Sequence, residues 1–264
     1  MGSFGRIYAM ILRYFYILRS SWPRMIELLY WPTIQMVLWG FISHYFVGSD
    51  KHIPYVVGAL LGAVMLWDML FRAQLSVSLS FMEELWSRNI GHICVSPLRP
   101  LEWCMSMVTI SFIRTMISIG PVFVLASWFY DFNILEIGWP LVAFMINIFA
   151  MGWWLGLLIT AILMRAGLGA EGLCWAITFM IAPFCAVYYP VSVLPEWGQY
   201  ISGLLPAAHV FEGLRALLLE QQFQSIYMLK AMALNVSYLI ISIICFVWSL
   251  NHSRKVGGLL QTGE

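Results

Sequence analysis

The sequence predicts an all-α integral membrane protein: six transmembrane helices, an N-terminal amphipathic interface helix, and a re-entrant outer hairpin between spans five and six. Three observations carry this reading. Only 10% of the residues are charged and 61% are hydrophobic, against about 25% charged in a soluble domain, so the bilayer is the natural solvent. Six apolar runs approach or exceed the roughly 20 residues that a spanning helix needs. A further apolar stretch is too broken by proline to span and too apolar for a free loop.

The first element, within residues 1–25, has Ile7, Ile11, Tyr14, Phe15 and Leu18 at helical spacing. Arg6 and Arg13 share another face, and Arg19 falls off it in a position to snorkel. This pattern predicts a helix lying in the membrane surface, ended by Pro23. The arginines interrupt any continuous apolar region of the kind a signal peptide needs.

Residues 26–264 read as one membrane domain. Its predicted spans are Leu28–Val47, Tyr55–Ser80, Cys104–Tyr130, Trp139–Met164, Gly172–Val191 and Ala231–Leu250. An even number places both termini on one side. With the N-terminus inside, Arg6, Arg13, Arg19, Arg24, Arg88, Arg99, Arg165, Arg254 and Lys255 are inner, and only Lys51, Arg215 and Lys230 are outer. That bias predicts cytoplasmic termini. Gly152, Gly156 and Gly167 are candidates for close helix approach.

Two connections are long. The cytoplasmic one, residues 81–103, has Met82, Trp86, Ile90 and Ile93 at helical spacing, with Glu83, Glu84, Arg88 and His92 on polar positions. It predicts a short amphipathic helix facing the cytosol, stopped by Ser96-Pro97-Leu98-Arg99-Pro100. The outer one, residues 192–230, predicts two short helices dipping into the outer leaflet, which requires cover by protein or a cavity.

Charges inside spans are costly and mark candidate functional groups. Asp68 and Arg72 lie on span two and Arg114 on span three. Asp68 falls roughly 20 Å below the outer end of its span and Arg114 roughly 15 Å above the inner end of its own. Asp68 therefore has two candidate partners: Arg114 across the helices and Arg72 one turn away. The cluster reads as an ion pair fixing the packing or as the polar lining of a path.

Several chemistries lack their residues. No Gly-Lys pair exists, so no phosphate-binding loop of the G-x-x-x-x-G-K-[ST] type is present, and HExxH and GxSxG are absent. The five cysteines include no CxxC pair and the five histidines are dispersed, so no metal site is expected. A net charge of +1 gives no basic field for nucleic acid. A proton-driven carrier or channel acting alone would want isolated carboxylates in several spans, and Asp68 is nearly alone. A membrane enzyme would need a polar cluster at one interface. His209, Glu212 and Arg215 are the candidates, and that reading requires His209→Ala to abolish activity.

The most specific motif runs Tyr188-Tyr189-Pro190-Val191-Ser192-Val193-Leu194-Pro195-Glu196-Trp197 and continues as Leu205-Pro206-Ala207-Ala208-His209-Val210-Phe211-Glu212-Gly213-Leu214-Arg215. With the Ser96-Pro97-Leu98 turn and Glu102, it resembles the type-2 ABC exporter permeases over nearly the whole chain. The Gly-Thr-Leu-Glu often found before that turn in the family is replaced here by Arg88-Asn89-Ile90-Gly91. The resemblance implies a bacterial cytoplasmic-membrane permease that exports an amphipathic or lipid-linked molecule. It implies a second permease protomer, identical or not, and cytosolic ATPase subunits that use ATP and Mg, with no cofactor and no catalytic residue in this chain. Under it, Glu83, Glu84, Trp86, Arg88 and Ile90 couple to the ATPase. Asp68, Arg72 and Arg114 form the intramembrane polar cluster, and Pro195, Glu212 and Arg215 belong to the outer hairpin.

Overall fold

The computed structural model describes residues 2–47, 53–130 and 134–256. Lys51, one of the outer charges, lies outside the described residues. The described residues are helical, without strands. Their helices are α1 (Ser3–Ser20), α2 (Trp22–Val47), α3 (Ile53–Trp86), α4 (Ile90–Val95), α5 (Pro100–Tyr130), α6 (Trp139–Ala166), α7 (Leu173–Ile181), α8 (Glu196–Gly203), α9 (Pro206–Glu220) and α10 (Ser225–Val256).

Five of these are long and apolar enough to cross a membrane: α2, α3, α5, α6 and α10. The expected span Gly172–Val191 is not one continuous helix. Nine residues of α7 pass into a 3-10 turn, Ala182–Cys185, and the helix stops at Ala186, which takes the left-handed conformation with φ 53°. Pro183 explains the stop, because it has no amide hydrogen to continue the α-helical ladder. Prolines also open other helices. Pro140 and Pro206 stand in the first turns of α6 and α9, where no amide partner is lost.

Two long helices carry an internal proline, Pro32 in α2 and Pro121 in α5. Pro32 cannot bond to the carbonyl four residues back, which is that of Leu28. The hydroxyl of Ser118 on α5 donates to that carbonyl instead. A neighbouring helix thus satisfies a group the bilayer cannot.

Helices α3 and α6 form the centre. Gly152 and Gly156 bring α6 against α3 so closely that a Cβ at residue 156 would stand 2.7 Å from Val77 Cβ and 2.8 Å from the Gln74 carbonyl. A Cβ at residue 152 would meet Ala73 Cβ at 2.7 Å. Gly167 does not share this role. It has open space around it and ends α6 with φ 70°. On its other side α6 is tied to α10 by amides. Asn235 donates to the Asn147 carbonyl at 2.9 Å and side-chain oxygen at 3.1 Å, and accepts from Trp154 Nε1 at 3.0 Å. Helices α2 and α10 are the least covered of the five.

Candidate functional site

A groove of about 630 Å³ lies between α2, α3, the middle of α5 and the segment around α7. Seven aromatic rings line it, among them Trp31, Trp67, Phe71, Trp175 and Phe179. Phe71 and Phe179 meet across it with centroids 5.1 Å apart. Trp39 stacks on Tyr188 at 4.7 Å, joining α2 to the segment after α7. Polar groups interrupt the apolar wall. Arg72 Nε donates to Asp68 at 2.8 Å one turn away on α3. The hydroxyls of Ser76 and Thr115 are buried on the wall without a hydrogen-bond partner.

The two candidate partners of Asp68 are therefore resolved in favour of Arg72. Arg114 pairs elsewhere: its Nη2 donates to Glu83 at 3.0 and 3.3 Å. The depth argument fails because α3 continues to Trp86, six residues past the expected end of span two, and delivers Glu83 to the level of Arg114. A local i,i+4 partner needs no tertiary fit, so Asp68 is satisfied within its own helix.

At the same end of α3, Glu83 also accepts from Arg24 of α2 at 3.2 Å. Glu84 is fully buried and accepts from Arg13 of α1 through Nε (2.8 Å) and Nη2 (2.9 Å), and from Asn89 Nδ2 at 2.7 Å. Glu102 on α5 takes Arg6 of α1 as a two-bond fork at 2.8 and 2.6 Å, and accepts the Arg99 amide as a helix N-terminal cap at 2.9 Å. Tyr14 accepts from Trp103 Nε1 at 2.9 Å. Burial raises the Tyr14 pKa, so the phenol stays neutral. The hydrogen bonds to Glu84 raise that of Arg13.

This frame corrects two sequence expectations. The face of α1 that carries Tyr14 and Leu18, expected to lie in the membrane surface, is buried beside the paired, half-buried Arg6 and Arg13. It is turned onto α3 and α5, and the exposed side carries Phe4, Tyr8, Phe15 and Tyr16. The expected cytosolic helix over residues 81–103 is not a single helix. Met82 to Trp86 belong to α3, the backbone turns through Arg88 at φ 53°, and α4 is a separate six-residue helix. The turn breaks the helical register. Glu83, Glu84 and Ile90 consequently lie inside, while Trp86, Arg88 and His92 are exposed, with Val95 at 90%.

At the opposite end of the bundle, α9 clasps the segment after α7. Glu212 accepts the Val191 amide at 2.7 Å. Arg215 donates to the carbonyls of Ala186 and of Tyr189, the latter at 2.7 Å. Pro195 starts α8 in extended conformation. The Tyr-Pro and Arg elements of the motif thus meet in space. His209 contacts the Gly203 carbonyl through Nε2 at 3.0 Å.

A family model described as ABC-2 type transporter matches residues 7–219. The chain belongs to that family. No curated protein matches its sequence. It is accordingly a multi-pass membrane permease, the transmembrane component of an ABC transporter and not the ATPase. Membership implies association with ABC ATPases. Within this permease, sequence reading named Arg6, Arg13 and Glu102 but not their pairing, with partners 96 and 71 residues apart in the chain. It also missed Gln74, which bonds the Cys174 carbonyl and the Thr178 hydroxyl and ties α7 to α3. A usable signal was there: an amide inside an apolar helix needs a partner.

Proposed function

We propose that this chain is the membrane-spanning subunit of an ATP-driven exporter and moves an amphipathic or lipid-linked molecule across a bacterial cytoplasmic membrane. The groove between α2, α3 and α7 is the observation that carries the reading, because it pairs an apolar wall with buried polar groups inside a bundle of spanning helices. A second permease protomer completes the path. A separate ATPase supplies the drive, using ATP and Mg. Both termini face the cytoplasm. Helix α7 with the clasped segment that follows makes the sixth crossing, and α8 with α9 forms the re-entrant outer hairpin. Helix α1 is the interface helix of this one-domain arrangement.

Docking of the ATPase falls to the α3–α4 elbow. Trp86 and Arg88 are exposed there, and Ile90 anchors α4 to the body. Glu83 and Glu84 act behind them, as the ionic frame that passes elbow movement to α1, α2 and α5. Co-purification with candidate ABC ATPase subunits tests the proposal. Trp86→Ala with Arg88→Glu should abolish capture and leave detergent-solubilised permease monodisperse. A permease that ignores every ATPase yet moves solute down an ion gradient would overturn it.

A further inference from the structure

The groove has a charge pattern that narrows its cargo. Four carboxylates and three guanidiniums line it, a surplus of one negative charge. Every guanidinium is engaged: Arg72 with Asp68, and Arg24 and Arg114 together with Glu83. Glu27 and Glu171 have no ion pair among the described residues.

Each of these two carboxylates has an indole four residues further on, and all four side chains line the groove: Glu27 with Trp31 on α2, and Glu171 with Trp175 at the start of α7. The combination thus occurs on both flanks. A ring face attracts a cation through its quadrupole, and a carboxylate beside it adds charge attraction that a partly dry wall strengthens. An anionic cargo would find each guanidinium already bonded to a carboxylate.

A second observation points to a ligand independently. The hydroxyls of Ser76 and Thr115 are 7% and 1% exposed as residues, lack partners, and lie on the wall. Unpaired buried hydroxyls carry a cost that polar atoms of a bound molecule would remove. The space of about 630 Å³ suits a molecule of drug size.

We propose that the groove selects a bulky, largely apolar organic cation, held between the Glu27–Trp31 and Glu171–Trp175 flanks. This rests on the reading of the groove as the cargo path and names the cargo's class.

The test uses two probes of nearly equal shape and opposite charge, tetraphenylphosphonium and tetraphenylborate. Equilibrium dialysis of each radiolabelled ion is run against the full chain in nanodiscs of zwitterionic lipid, with binding to empty nanodiscs subtracted. The phosphonium should bind at least about tenfold more tightly than the borate. Glu27→Gln combined with Glu171→Gln should erase that preference, and Trp175→Ala should weaken phosphonium binding several-fold. Leu79→Trp, which fills the groove, should remove binding of both ions. If the borate binds better, or the double glutamine variant keeps the cation preference, the cargo class is wrong. Should binding at the same time be lost in Leu79→Trp, the groove still stands as the path. Binding of both ions that Leu79→Trp leaves unchanged would overturn the groove reading together with the cargo class.

Discussion

The two long faces of α3 use the same helix in opposite ways. Toward α6 it presents Ala73, Gln74 and Val77 to Gly152 and Gly156, and backbone meets backbone with no room for a methyl group. Toward α2 and α7 it presents Asp68, Phe71, Arg72 and Ser76, and leaves a groove. Lipid supplies no hydrophobic drive between helices, so close fit and buried hydrogen bonds must hold the first face together. The second face gives up that fit. Rings and ion pairs line it in place of small residues, so its neighbours have space to shift.

The largest expected effect breaks the closed face. Gly156→Leu should prevent recovery of folded protein, while Gly156→Ala should cost about 1–3 kcal/mol through overpacking. Fluorescence-detected size exclusion after heating reads both, and an unchanged melting profile for the leucine variant would refute the contact. A smaller effect is expected where the groove face ends in charge. Glu83→Gln leaves Arg114 buried beside an uncharged amide, a loss of about 3 kcal/mol. Combining it with Arg114→Met should recover part of the loss, and strict additivity of the two would deny that they interact. The smallest effect belongs to the open wall. Phe179 is 55% exposed, so Phe179→Ala should shift stability by less than about 0.5 kcal/mol yet alter cargo-stimulated ATP hydrolysis by the complex. A large destabilisation would show that the groove is packed like the other face.

Much of this contrast was legible in the residues. The apolar runs gave five of the helices, because length and lack of charge suffice to define a span. The fifth run is not one long helix: thirteen helical residues, Leu173–Cys185, are followed by an apolar segment of bends and a short 3-10 turn, and in the sequence the two read like one helix. Pro183 was the available warning. The tie of Arg114 to Glu83 was not among the alternatives because depth was counted along helices whose ends were set too short. Glu83 and Glu84 were read as cytosolic because the period of Met82, Trp86, Ile90 and Ile93 continues past Arg88 in the sequence, although the chain turns there. Their partners come from α1, α2 and α5, and no local spacing announces a pairing across 71 residues. The outer motif is legible in its Tyr-Pro, Leu-Pro and Arg pattern, but its physical task, bonding the stranded carbonyls of Ala186 and Tyr189, exists only between segments far apart in the chain.

Helix α1 has one more consequence, for the lipids around the protein. Arg6 and Arg13 are bound to Glu102 and Glu84, so the side facing the bilayer offers mainly Phe4, Tyr8, Phe15 and Tyr16. Such a surface settles at the interface mainly through its rings, and of the arginines of α1 only Arg19 stays exposed toward anionic headgroups. The helix should hold its place in membranes rich in phosphatidylethanolamine, and phosphatidylglycerol should add only the attraction of the single exposed Arg19.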